Sequence, residues 1–150
     1  MHRRWSSGLA AVLLAGCFQD STHQHSDFLP LTSYQTSFQV VRACRAITVH
    51  DMGYQRVLAN ITAASAYSGG SYPLPAGSVV VAEQHDDPSC NTLNGFYLMA
   101  KEQPGYDTAN ADWHWQRLDA NQRVLDDGRL QTCSSCHAPL PCNDYLCSPP

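Results

Sequence analysis

The chain has 150 residues and carries nine lysine and arginine side chains against 13 aspartates and glutamates, a net charge of −4. That length supports one domain around one core. The acidic balance and the lack of any basic cluster exclude a nucleic-acid binder and electrostatic docking on anionic lipid.

Arg3 and Arg4 precede a short apolar stretch, Leu9 to Ala15, too short to span a bilayer as a stable helix. This pattern reads as a secretory signal over residues 1–16. It ends Leu14-Ala15-Gly16-Cys17, which resembles the lipobox of bacterial lipoproteins and implies acylation of Cys17 as the first mature residue. The alternative is an ordinary signal peptide that contains a cysteine. Acylation would anchor an otherwise soluble domain, each buried methylene contributing about 0.8 kcal/mol. Phe18, rather than aspartate, follows the cysteine and leans toward the outer membrane. Removing 16 residues leaves 134, with seven basic side chains against 13 acidic ones and a net charge of −6. The mature protein is expected outside the cytoplasm, with a lipid as its only membrane attachment.

Residues 17–33 are polar and aperiodic and read as a tether. His23 and His25 within it form a His-x-His pair that binds metal in some settings but is more often incidental. The domain is expected over residues 34–150. Ser37 to Val49 mixes β-branched, aromatic and polar residues as a strand does, and Tyr54 to Leu58 reads as a second, shorter one. Asn60 is placed as the N-cap of a helix from Ile61 to Tyr67 that Gly69 and Gly70 end. Tyr72 to Gly77 forms a stiff proline turn, and Ser78 to Glu83 a valine-rich strand. Asp86 to Asn94 is a polar loop bearing Cys90.

Along Gly95 to Lys101, Phe96, Leu98 and Ala100 alternate with Tyr97, Met99 and Lys101. Trp113 to about Leu118 is a further strand, whose period of two puts both tryptophans on one face and His114 on the other. Asp126-Asp127-Gly128 reads as a turn, and Pro139, Pro141, Pro149 and Pro150 prevent a long terminal helix. The expected fold is therefore α+β: mainly antiparallel sheet, one or two short helices, and a C-terminal cofactor-attachment turn.

That turn is Cys133-Ser134-Ser135-Cys136-His137, the attachment pattern of covalently bound c-type haem. Residues three apart share one side of a helical turn, so both thiols can add to the two haem vinyl groups. The adjacent imidazole of His137 then serves as the proximal iron ligand. A thioredoxin-like redox pair or half of a zinc site is the competing reading. Cysteine arithmetic favours haem. Setting aside Cys17, Cys133 and Cys136 leaves Cys44, Cys90, Cys142 and Cys147, an even number in an oxidising compartment. Three pairings are possible; the favoured one joins Cys142 to Cys147 and Cys44 to Cys90. The competing account makes all six non-lipid cysteines a disulfide or zinc scaffold, but no second paired-cysteine motif with finger-like histidine spacing supports zinc.

The order of elements resembles the cytochrome P-460 and cytochrome c-prime-beta family. The matching stretches are His50, Arg56 to Asn60, Ala63, Tyr72-Pro73 through Gly77 to Glu83, and Leu98 to Lys101. They continue with Gly105-Tyr106-Asp107, Asp112 to Trp115, and the Cys-x-x-Cys-His run with Asp144-Tyr145-Leu146 beyond it. Together they span roughly residues 34 to 147. The resemblance implies an antiparallel sheet packed with helices, a c-type haem with histidine on one side, and usually a homodimer. Cytochrome P-460 members oxidise hydroxylamine and carry a lysine cross-linked to the porphyrin. Members of the c-prime-beta branch lack it and bind nitric oxide or carbon monoxide at a crowded apolar distal face. By eye that lysine would fall near Gly69 and Gly70, yet Lys101 is the sole lysine in the chain.

His50, Met52, His85, Met99 and His114 are the candidates for a sixth iron ligand, each with ordinary packing or surface roles as its alternative. Tyr72 and Leu74 are candidates for the distal wall, with Phe96 behind them; plain core packing competes for Tyr72 and Phe96. Arg56 or His50 is a candidate hydrogen-bond donor to a bound species. Three functions follow. The preferred one is binding of a small gaseous or nitrogen-containing ligand such as nitric oxide at an open iron. The others are an oxidoreductase acting on hydroxylamine, nitrogen oxides or peroxide, and an electron carrier with a redox partner protein.

Overall fold

Period-two alternation produces six strands in a computed structural model that describes residue 28 and residues 33–50, 53–138 and 141–147. They are β1 (Gln39–Ile47), β2 (Gly53–Ala59), β3 (Val79–His85), β4 (Leu93–Lys101), β5 (Trp113–Asp119) and β6 (Val124–Gly128). Every neighbouring pair is antiparallel, and the spatial order is the chain order. Three short helices accompany the sheet: α1 (Tyr34–Ser37), α2 (Ile61–Gly69) and α3 (Gln131–His137). The fold is the mainly antiparallel α+β class that the sequence predicts. The signal sequence, Cys17, His23, His25 and Met52 lie outside the described residues, as does the tether apart from Phe28 and Ser33.

Asn60 begins α2 as its sequence context dictates. Its side-chain oxygen accepts from the Ala63 amide at 3.0 Å, and its amide nitrogen donates to the Gly77 carbonyl at 2.8 Å. One residue thus caps the helix and ties it to the start of β3. Gly70 closes the other end at φ +67°, where a side chain would be strained, and its N–H meets the last-turn carbonyls.

The sheet is covered on both faces, which explains why β3 and β4 read as nearly continuous apolar runs. One face presents Val57, Ala59, Val80, Met99, Trp113 and Trp115, packed against Ala63, Ala64 and Tyr67 of α2 and against Leu146. The opposite face presents Leu58, Val81, Phe96, Leu98 and Leu118, packed against Tyr34 of α1. There Glu83, fully buried, gathers polar partners. The Tyr34 hydroxyl donates to its Oε1 at 2.8 Å, Arg56 Nε donates to Oε2 at 2.6 Å, and His85 Nε2 lies 3.2 Å from Oε2. Burial, reinforced by that carboxylate, pushes the Tyr34 phenol far above its usual range.

Asp126-Asp127-Gly128 is not a turn but the end of β6. Both acids are bound across the strand pair: Arg117 Nε donates to Asp126 Oδ2 at 2.7 Å, and Gln116 Nε2 donates to Asp127 Oδ1 at 2.7 Å. The reversal falls earlier, where Asp119 Oδ1 accepts from the Asn121 and Arg123 amides at 2.8 and 3.0 Å. Local residue chemistry marks both places as turns; cross-strand pairing decides between them.

Both disulfides follow the favoured pairing. Cys44–Cys90 ties β1 to the loop before β4 over 46 residues, and Cys142–Cys147 closes a loop of separation 5. Chain-entropy arguments give about 4 kcal/mol for the long link and about 2 kcal/mol for the short one.

Candidate haem site

Between the Trp115-bearing face of the sheet, α2, α3 and the C-terminal loop lies a cavity of about 410 Å³. The sheet supplies Gln55, Val57, Val80, Ala82, Tyr97, Met99 and Trp115, and α2 supplies Tyr67. These side chains converge because strand register sets Val57 beside Ala82, Val80 beside Met99, and Met99 beside Trp115. The surface is mostly apolar, as small-molecule and cofactor sites are.

Helix α3 delivers the chemistry. Cys133 and Cys136, one turn apart, both line the cavity and are the only free cysteines among the described residues. Burial is the main cause that pushes the Cys133 thiol up from its ordinary value. A thioredoxin-like pair needs the opposite, a depressed thiol that attacks as thiolate. The redox-pair reading therefore lacks its electrostatic signature.

His137 ends α3 and also lines the cavity. Its Nδ1 lies 2.7 Å from the Tyr145 carbonyl oxygen. A carbonyl only accepts, so Nδ1 carries the proton and Nε2 keeps the lone pair. The ring stands edge-on to Trp115, centroids 5.0 Å apart. Tyr145 is itself fixed by its loop. Asp144 accepts from Lys101 Nζ at 2.7 Å and from the Leu74 amide at 2.8 Å, while Trp113 Nε1 donates to the Asp144 carbonyl at 2.9 Å. Asp144 and Tyr145 both have positive φ, 51° and 67°. That costly backbone persists because the disulfide, the ion pair and the indole hold the loop from three sides. A metal-binding histidine oriented through its second nitrogen is the usual arrangement in metalloproteins.

The other residues singled out from sequence divide sharply. His50 and Met99 share the cavity with His137. His50 stacks on Tyr97 with centroids 4.5 Å apart, and its ring centroid is 5.8 Å from that of His137. His85 and Arg56 are bound to Glu83 on the far side of the sheet. Arg56 is thus not placed to donate a hydrogen bond inside the cavity. His114 bridges Glu102 and Asp127 at 3.2 and 2.8 Å, away from the cavity.

The residues expected at a distal wall do not line the cavity. Phe96 packs edge-on against Tyr34 on the opposite face, because alternation along β4 sends Tyr97 and Met99, not Phe96, toward the cavity. Tyr72 and Leu74 belong to the apolar cluster that includes the cavity lining but are not lining residues themselves. Val57, Val80, Ala82 and Tyr67 line the cavity instead. The alternation that put both tryptophans on one face, carried across the sheet by register, is the signal that identifies them.

Tyr67 is fully buried, and burial is the main cause that pushes its phenol up to about 12. The unfolded phenol ionises near 10. Its contribution to stability is therefore complete below that pH and lost as pH rises from about 10 through about 12, some 3 kcal/mol. Tyr67→Phe should flatten this part of the alkaline limb in urea titrations at pH 9 to 12. An unchanged slope would show that other groups govern it.

A sheet face, an apolar cavity and a helix presenting two free thiols beside an oriented imidazole are the parts that a protein with covalently bound haem needs. The cytochrome P460 family matches residues 32–148, well over half of the chain, and the chain belongs to that family. Comparison with curated proteins gives no match. The family's haem is covalently attached, and the residues present fit such a group: free thiols for covalent bonds, Nε2 of His137 for iron, and an apolar cavity for the ring.

Proposed function

We propose that Cys133 and Cys136 hold the haem through thioether bonds, that His137 ligates its iron, and that the protein binds nitric oxide or a related small nitrogen species. Held there, the haem would supply an iron to which such a ligand could bind. The observation that carries the reading is the apolar wall of Val57, Val80, Ala82 and Met99 in the cavity that holds both thiols and His137. Such a wall excludes water and admits a small uncharged ligand without demanding compensating hydrogen bonds. The Tyr145 carbonyl, accepting from Nδ1 of His137, fixes the ring's orientation and leaves Nε2 as the nitrogen that would ligate iron.

The lysine supports ligand binding over cross-linked hydroxylamine oxidation. Lys101, the sole lysine, is paired with Asp144 and lies over the Trp113 ring at 4.6 Å. The end of α2, where the cross-linking lysine of the hydroxylamine-oxidising branch would fall, carries Gly69 and Gly70. A second reading, a six-coordinate electron carrier, is favoured by His50, the one other imidazole lining the cavity among the described residues.

An optical spectrum of haem-loaded protein separates these readings. The ferrous protein is expected to be high-spin and to shift on adding nitric oxide. A low-spin, ligand-insensitive spectrum that turns high-spin in His50→Ala would establish the electron carrier. An abnormally red-shifted ferrous Soret band would reveal a cross-link and overturn the argument from lysine. The reading includes an extracytoplasmic location with lipid on Cys17, and a homodimer. Two disulfides support the oxidising compartment. No helix among the described residues is long and apolar enough to cross a membrane.

A further inference from the structure

Arg42 on β1 is 7% exposed, and none of the ion pairs among the described residues involves it. Its Nη2 donates to Oε1 of Gln55, while its Nε is buried without a hydrogen-bond partner. Burial, and then the neighbouring guanidinium of Arg45, depress its pKa. Both influences disfavour a cation at this position. An arginine does not escape by losing its proton, so a buried one normally has a carboxylate or phosphate opposite its fork.

The surroundings show where that anion belongs. Arg42 pairs with Val57 across the β1–β2 ladder, and Val57 and Gln55 both line the cavity. Tyr67, whose phenol lies near enough to Arg42 to interact with it electrostatically once ionised, lines it too. Arg42 thus stands one hydrogen bond behind the cavity wall, with a donor to spare and no acid of its own. Asp126, the one acidic residue lining the cavity, is paired with Arg117. A buried positive charge therefore stands behind Gln55 and Val57 of the cavity wall, without an acid of its own.

We propose that Arg42 is the seat of a haem propionate, with Gln55 as the gate through which the carboxylate reaches the guanidinium. The inference rests on the haem reading above and adds to it the side chains of β1 and β2 that would hold a propionate. Carboxylate binding turns an unfavourable buried cation into a charge-assisted pair. Gln55 needs only to exchange its bond from Nη2 for one to the incoming group, since its amide both donates and accepts. Arg42 would then act on the iron as a positioning and charge-balancing residue, not as a ligand.

The test uses holoprotein with covalent haem verified after denaturation. Arg42→Met should shift the propionate bending band in the resonance Raman spectrum. It should also lower the iron midpoint potential, because removing a nearby positive charge favours the ferric state. We expect at least a tenfold change in the oxidation equilibrium, about 59 mV for one electron. Arg42→Lys should recover most of the potential while its propionate band stays shifted, because an ammonium lacks the planar fork. If Arg42→Met does not accumulate, the shifted band with retained potential in Arg42→Lys carries the test. An unchanged band and potential in either haem-loaded variant overturns the role of Arg42 alone. Absence of covalent haem from the parent protein overturns the haem reading and this inference together.

Discussion

Replacing both Cys133 and Cys136 by alanine should leave a folded chain that loses all of its haem on denaturation. Neither thiol contributes to the fold's cross-links, since Cys44–Cys90 and Cys142–Cys147 use the other four cysteines of the domain. Cys136 is exposed and Cys133 only partly buried, so truncation opens no large hole. Single substitutions should each leave one bond and a haem that still migrates with the chain under denaturing electrophoresis. Haem staining of the double variant on such a gel is the check. Persistent stain would place the attachment elsewhere.

The second large effect lies on the opposite face of the sheet. Glu83→Ala removes the acceptor shared by Tyr34, Arg56 and His85, all gathered around a side chain with no exposure. Leaving the buried Tyr34 hydroxyl and the buried His85 ring without their shared partner costs about 1–3 kcal/mol for each group. That is a large part of the stability of a domain this size. Arg56→Ala should cost less, because the Arg56 side chain is 30% exposed and Tyr34 and His85 keep the carboxylate. Urea midpoints at constant m-value measure both. A Glu83→Ala loss below about 1 kcal/mol would mean that the cluster relaxes into water. The haem spectrum should not change in either variant, because the cluster and the cavity lie on different faces.

The contrast between the faces shows what the sequence made legible. Asn60, Gly70 and the period-two segments identified α2 and most strands, because capping and alternation are local. The Cys-x-x-Cys-His run fell on α3 for the same reason, and parity of cysteines led to both disulfides. The walls of the cavity were harder to read. Phe96 and Met99 are near neighbours in β4, equally apolar, and alternation separates them without saying which faces the cofactor. That choice is made by the register of β3, β4 and β5, a non-local property. Arg56 was drawn away from the cavity by Glu83, and Asp126 and Asp127 into β6 by Arg117 and Gln116. In each case a partner distant in sequence overrode a plausible local role. Helix α1, only four residues long, has little pattern to read and is fixed by the Tyr34–Glu83 bond.

The most direct test of a haem bound through α3 is the mass of the peptide that follows Arg129 after tryptic cleavage and disulfide reduction. That peptide contains Cys133, Cys136, Cys142 and Cys147. It should carry the added mass of one haem and present two alkylatable thiols, those of Cys142 and Cys147. A haem-free peptide with four alkylatable thiols, from a preparation whose visible spectrum shows haem, would contradict the account.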